Sequence, residues 1–270
     1  MASTGNTGAA RRHAPLEKRF NISAAGRQLE VMRLSSATSN RPTIVFLHEG
    51  LGSVSLWRDF PRQVVATTGC SALIYSRYGY GQSDVLHEPR TPNYMHQEAL
   101  DVLPELLAKC EIEKPILLGH SDGASIALIY AGSDRDVAGV IVEAPHLFVE
   151  EISLQGVAKA AETFRNTDLS QKLARHHRDA EKTFWGWHDI WNSAEFRDWN
   201  IEPYVRSIRG PILAIQGEQD EYGSAAQIQA ITNARRGSTD AHLLTNCGHT
   251  PHRDQSQATL ALMRSFIEAL

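Results

Sequence analysis

The hydrophobic positions of this chain fall into short apolar runs set between stretches of helical periodicity. Leu16 to Phe20 and Gln28 to Leu34 alternate apolar with polar residues around Ala24-Ala25-Gly26, which predicts a β-hairpin at a sheet edge. Thr43 to Leu47, Ser71 to Ser76, Pro115 to Leu118 and Pro211 to Gln216 are apolar almost throughout, the pattern of strands covered on both faces. Val137 to Val142 and Ala241 to Leu244 read as two further strands. Helical spacing runs through Val54, Trp57, Phe60 and Val64, then from Pro92 to Lys109, where Pro104 is expected to kink or divide the helix. It returns after the Pro115 strand and in an amphipathic run from Ser256 to Leu270. Strands alternating with helices predict a mostly parallel sheet with helices on both faces, whose ligands sit at the carboxyl ends of the strands.

Between residues 146 and 204 the rhythm changes. This stretch is charged, helical in pattern, and holds Trp185, Trp187, Trp191 and Trp199, four of the five tryptophans. It is expected to be a helical insertion in a core formed by residues 15–145 and 205–270. Residues 1–14 are rich in Ala, Ser, Thr, Gly and Arg without the apolar stretch of a signal peptide, and are expected to form a disordered tail.

At 270 residues the chain fits one large domain, with or without an insertion. A net charge of −4 supplies no basic field, so no nucleic-acid partner is expected. The absence of an apolar run long enough to span a bilayer argues against a membrane partner. Cys70, Cys110 and Cys247 are few, odd in number and widely spaced, which suggests a reducing compartment, the cytoplasm. No Cys, His or Asp spacing matches a zinc site, and His176-His177 reads as a solvated helix face. The sequence does not set the oligomeric state, and a homodimer stays open.

Candidate chemistry gathers at the predicted strand ends, where His48, Ser121, Asp220 and His249 each stand. Ser121 lies in Gly119-His-Ser-Asp-Gly123, between a strand and a helix. A reversal that sharp strains the serine backbone, excludes β-carbons on both sides and exposes the hydroxyl. A serine hydroxyl needs a base within hydrogen-bond reach and a carboxylate to orient that base. Alone, His249 would read as structural and Asp220 as a helix cap. Together, in the order Ser, Asp, His and each after a strand, they point to a triad.

With the His48-Glu-Gly-Leu-Gly-Ser53 loop, the Arg77-Tyr-Gly-Tyr-Gly-Gln-Ser83 loop, Gly217-Glu-Gln-Asp220 and Cys247-Gly-His249-Thr-Pro251, the chain resembles the α/β-hydrolase fold superfamily from about Lys18 to Leu270. The resemblance implies a cofactor-independent serine hydrolase with Ser121 as nucleophile, Asp220 as acid and His249 as base. It implies an oxyanion hole made by the N–H of Asp122 and an N–H after His48, with Gly50 placed ahead of Glu49. It further implies that residues 146–204 form a helical cap. The expected substrate is a small, largely apolar acyl compound: an ester, thioester or lactone, with an amide also open. Carbon–carbon bond hydrolysis, cofactor-free dioxygenation and a non-catalytic ligand receptor are the alternatives.

Two departures bear on the site. The family usually has His-Gly where this chain has His-Glu-Gly. A carboxylate beside a developing oxyanion is repulsive, so Glu49 is expected to point away from the reaction centre or to pair with a base such as Arg77 or Arg253. The Ser-Asp-Gly elbow is similar to that of the valacyclovir-hydrolase branch, which implies recognition of an amino group by Asp122. An acid favoured by the helix dipole is the alternative. Glu49, Trp185 and Trp187 are the candidates for substrate contact.

Overall fold

The computed structural model describes residues 15–36, 40–235, 237 and 239–270, so the expected tail at residues 1–14 lies outside the described residues. The hairpin forms as β1 (Leu16–Ala24) and β2 (Arg27–Ser35), paired antiparallel from Leu16↔Ser35 to Ala24↔Arg27. Ala25 and Gly26 close it with φ of 47° and 75°, the two positive values that a tight turn matched to strand twist requires. The other strands are β3 (Ile44–Leu47), β4 (Ala72–Tyr75), β5 (Ile116–His120), β6 (Gly139–Glu143), β7 (Ile212–Gly217) and β8 (Thr239–Leu244). They form one sheet in the order β1-β2-β4-β3-β5-β6-β7-β8. All neighbours beyond the β2–β4 pair run parallel.

Strands β3 to β7 are buried along their whole length, and alternation divides their side chains between two cores. Val45 and Leu47 join a core with α3 (Leu103–Lys109), α4 (Asp122–Ala131) and α9 (Ala226–Ala234). Ile44 and Phe46 face α1 (Phe60–Thr68) and α11 (Ser256–Glu268) across the sheet. Each such apolar side chain contributes about 1.5–3 kcal/mol when fully buried. No helix among the described residues is long and apolar enough to cross a membrane.

Three expectations are corrected in detail. The helix expected from Val54 starts only at Phe60. Pro61 sits in its first turn, where its missing N–H costs nothing, and Val54 and Trp57 are buried in the preceding turns. The long helix ending at Lys109 is divided near Pro104 as expected, but through an unexpected π-helical turn: α2 (Tyr94–Gln97), the π turn (Glu98–Val102), then α3. Pro104 cannot donate to the preceding turn, and the wider π turn accommodates that loss.

The third correction concerns the segment between β6 and β7. It holds α5 (Glu151–Asn166), α6 (Leu169–Ala174), α7 (Ala180–Asn192) and α8 (Glu202–Ser207). His176 and His177 follow α6 in a turn rather than lying on a solvated helix face. His177 is buried: its Nδ1 accepts the Gly81 N–H at 2.9 Å and its Nε2 donates to the Leu51 carbonyl at 3.0 Å. Burial keeps the ring neutral, with its pKa lowered to about 4. The pair therefore ties this segment to the loops that follow β3 and β4.

Candidate active site

The strand register sets the site. Leu47 pairs with Gly119, so β3 and β5 end level and their following loops lie side by side. Ser121 turns the chain from β5 into α4 with φ 53° and ψ −118°. A β-carbon on Gly119 would lie 2.2 Å from the Gly123 carbonyl oxygen, and one on Gly123 would lie 2.0 Å from that of Leu47. Glycine on both sides of the serine is thus a packing requirement as well as a backbone one.

From the ends of β7 and β8 come the acid and the imidazole. His249 Nε2 is 2.9 Å from Ser121 Oγ, and Nδ1 is 2.8 Å from Asp220 Oδ1. Asp220 Oδ1 also accepts the N–H groups of Tyr222 and Gly223, at 2.8 and 3.1 Å, and Oδ2 accepts from Gln216 at 3.2 Å. Burial opposes ionisation of Asp220, yet the His249 contact and these donors hold its pKa down at about 2. An ionised carboxylate only accepts, so Nδ1 carries the ring proton and Nε2 is left to accept from the serine. The two loops are laced together: Gln219 donates its N–H to the Cys247 carbonyl at 2.9 Å, and the Cys247 N–H returns to Gln219 Oε1 at 2.8 Å.

The loop after β3 is held by one carbonyl. Glu49 O accepts from Arg77 Nη2 at 2.9 Å, His48 Nδ1 at 2.7 Å and the Gly52 N–H at 3.0 Å. His48 Nε2 accepts the Arg77 N–H at 3.0 Å, so its proton sits on Nδ1; burial and the Arg77 charge keep the ring neutral. A trans peptide points its N–H opposite to its carbonyl. The Gly50 N–H therefore points away from this cluster of donors, and Gly50 lines the same cavity as Ser121.

That cavity is small, about 110 Å³. Leu51, Val157, Trp187 and Trp191 form its apolar wall, and Glu49, His120, His146 and Tyr222 its polar one. His146 was not singled out from the sequence, although it follows β6 closely, as Ser121 and His249 follow their strands. Burial and its neighbour His249 lower its pKa to about 4, so the ring is neutral.

Residues 44–262 match the alpha/beta hydrolase family. The chain belongs to that family. It is 29% identical over 99 residues to an sn-1-specific diacylglycerol lipase, ABHD11, of Danio rerio; the match spans 37% of this chain and 30% of the lipase. Among solved structures, the chain is similar to an enol-lactonase from Burkholderia xenovorans, with a TM-score of 0.71, 18% identity, and 92% and 99% of the two chains covered. It is also similar to a meta-cleavage product hydrolase from Pseudomonas fluorescens, with a TM-score of 0.73, 15% identity, and 93% and 97% covered.

In this alpha/beta hydrolase three expected contacts are corrected. Trp185 does not reach the cavity: two residues along α7 from Trp187, it lies about 200° around the helix. Its Nε1 bonds Glu181 at 2.9 Å, and it borders an outer groove beside Leu86 and Arg90. Glu49 faces a base, but that base is His120 and neither of the two arginines. Arg77 bonds the Glu49 carbonyl, Arg253 bonds the Leu56 carbonyl at 3.0 Å, and Glu49 Oε2 stands 3.6 Å from His120 Nδ1. Asp122 is fully buried below the cavity. It accepts from Tyr94 Oη at 2.8 Å and pairs with Arg77 at 3.4 Å, so its carboxylate is unavailable to an amino group of a substrate.

Proposed function

We propose that this alpha/beta hydrolase cleaves an ester, thioester or lactone of a small, largely apolar acyl compound through an acyl-serine intermediate. The hydrogen-bonded series from Ser121 Oγ through His249 to Asp220 carries this reading. His249 takes the hydroxyl proton as Ser121 attacks the carbonyl carbon, then gives it to the leaving group. Asp220 holds the tautomer and balances the imidazolium. Water activated by the same His249 then releases the acid. The N–H groups of Asp122 and Gly50 stabilise the oxyanion, each worth about 10²–10³ in rate. The small cavity and its apolar wall support a short acyl group, and the segment from residue 146 to 204, which supplies Val157, Trp187 and Trp191, acts as its cap.

A panel of short-chain esters, thioesters and lactones, read by mass spectrometry of the intact protein and of its digest, tests this. A mass increase equal to the acyl group on the peptide holding Ser121, with turnover, is expected. Absence of adduct and of turnover across the panel, together with no labelling by a fluorophosphonate, would overturn it.

Gly50 supplies a further prediction. A β-carbon there would lie 2.2 Å from Trp187 Nε1. Gly50→Ala must push the indole out of the cavity wall, and a misplaced group of this kind costs about 100-fold. A loss of that size in kcat/KM is expected for apolar esters, with an increase in exposure of Trp187 to fluorescence quenchers.

A further inference from the structure

Behind the first histidine–carboxylate pair lies a second. His120 ends β5, one residue before Ser121, and is buried. Its Nε2 is 2.7 Å from the carbonyl oxygen of His249. A carbonyl can only accept, so Nε2 bears a proton. Nδ1 has no hydrogen-bond partner among the described residues and stands 3.6 Å from Glu49 Oε2, an ion-pair distance. The carboxylate leans this way over Gly52, where a β-carbon would lie 2.4 Å from Oε2.

We propose that His120 and Glu49 are positioning residues: they hold the backbone of His249, and so its imidazole, between Ser121 and Asp220, and they join the Gly50 loop to the His249 loop. The inference rests on the proposed acyl transfer by Ser121.

The reason is a count of protons. A neutral His120 has one N–H for two acceptors, the His249 carbonyl and the Glu49 carboxylate. A protonated ring satisfies both. Burial acts against the charged ring, yet Glu49 holds the pKa of His120 above its ordinary value, and His120 in turn holds the Glu49 carboxyl below its own despite burial. Glu143 also faces His120 and adds to the upward shift of its pKa. Its Oε2 is committed, taking the N–H of His252 at 3.0 Å and its Nδ1 at 2.8 Å, so Glu49 is the carboxylate at ion-pair distance from the His120 ring. The rings of His249 and His252 lie 5.2 and 5.1 Å away.

A raised pKa means that the paired arrangement is complete below it and is lost as pH rises through it. Wild-type kcat should therefore fall on the alkaline side. Glu49→Gln removes the conflict, because an amide can donate to Nδ1 while Nε2–H keeps the His249 carbonyl, with no extra proton needed.

The test measures kcat and KM against pH for wild type, Glu49→Ala, Glu49→Gln and His120→Ala, with ¹⁵N spectra of the His120 ring in parallel. His120→Ala is expected to lower kcat about 10–100-fold with little change in KM, as a misplaced base does. Glu49→Ala should lower kcat near neutral pH, and Glu49→Gln should restore most of it while abolishing the alkaline fall. The ring should be doubly protonated near neutral pH in wild type and carry its proton on Nε2 alone in Glu49→Gln. An unchanged alkaline limb in Glu49→Gln, or a neutral His120 in wild type, would overturn the proposal. The ring spectra decide it even if His120→Ala does not fold. Failure of Ser121 to take a fluorophosphonate would reject acyl transfer separately, leaving the His120 spectra to judge the pair.

Discussion

Ser121→Ala should lower kcat by about 10⁴–10⁶-fold for any ester the protein turns over, with KM little changed. The hydroxyl is the only part of residue 121 that His249 Nε2 contacts, at 2.9 Å, so alanine removes the nucleophile and leaves the elbow. The strained backbone, with φ 53°, is no worse for alanine than for serine. His249→Ala should cost a similar amount, and the double variant little more, because groups that act as one unit are lost together. Steady-state assays of the purified variants check this. A Ser121→Ala protein that keeps more than about a hundredth of wild-type kcat would remove the serine from the reaction.

Asp122→Ala is expected to destabilise the fold by about 3–5 kcal/mol, the cost of leaving a buried charge without its partner. Arg77 is 2% exposed and Asp122 fully buried, and they are 3.4 Å apart. The loss extends through a chain of contacts. Trp191 Nε1 donates to Tyr94 Oη at 3.1 Å, Tyr94 donates to Asp122, and Arg77 reaches on to the carbonyls of His48 and Glu49. One carboxylate thus connects the cavity wall, α4 and the Gly50 loop. At this size each kcal/mol moves the melting temperature by about 2–4 °C, so a drop of roughly 6–20 °C is expected in a thermal unfolding scan. Changing both partners, Arg77→Met with Asp122→Leu, should recover part of it, since removing a buried pair costs less than breaking one. A melting temperature within about 2 °C of wild type for Asp122→Ala would contradict this account.

Much of the layout was legible before any coordinates. Buried strands declare themselves as unbroken apolar runs, and in a parallel sheet every such strand delivers its next residues to the same rim. That rule alone brings Ser121, Asp220 and His249 together and would equally have flagged His146. Pro104 marked the division of its helix through a missing donor, although the π turn at Glu98–Val102 and the late start of α1, with Pro61 in its first turn, were not foreseen.

What the sequence by itself determined is whatever periodicity and backbone chemistry dictate locally: the hairpin, the buried strands, the glycines around Ser121, and the order of residues along one rim. Only the tertiary structure decided the partners of the buried polar and charged groups. Glu49 with His120, Asp122 with Arg77 and Tyr94, and His177 with Gly81 and Leu51 each join residues from separate elements, and several acceptable partners lay within the same composition. It likewise decided that Trp187 rather than Trp185 faces the cavity. Helical spacing separates the two indoles by half a turn, but which of them points inward depends on how α7 docks, and docking is set by long-range packing that no local pattern encodes.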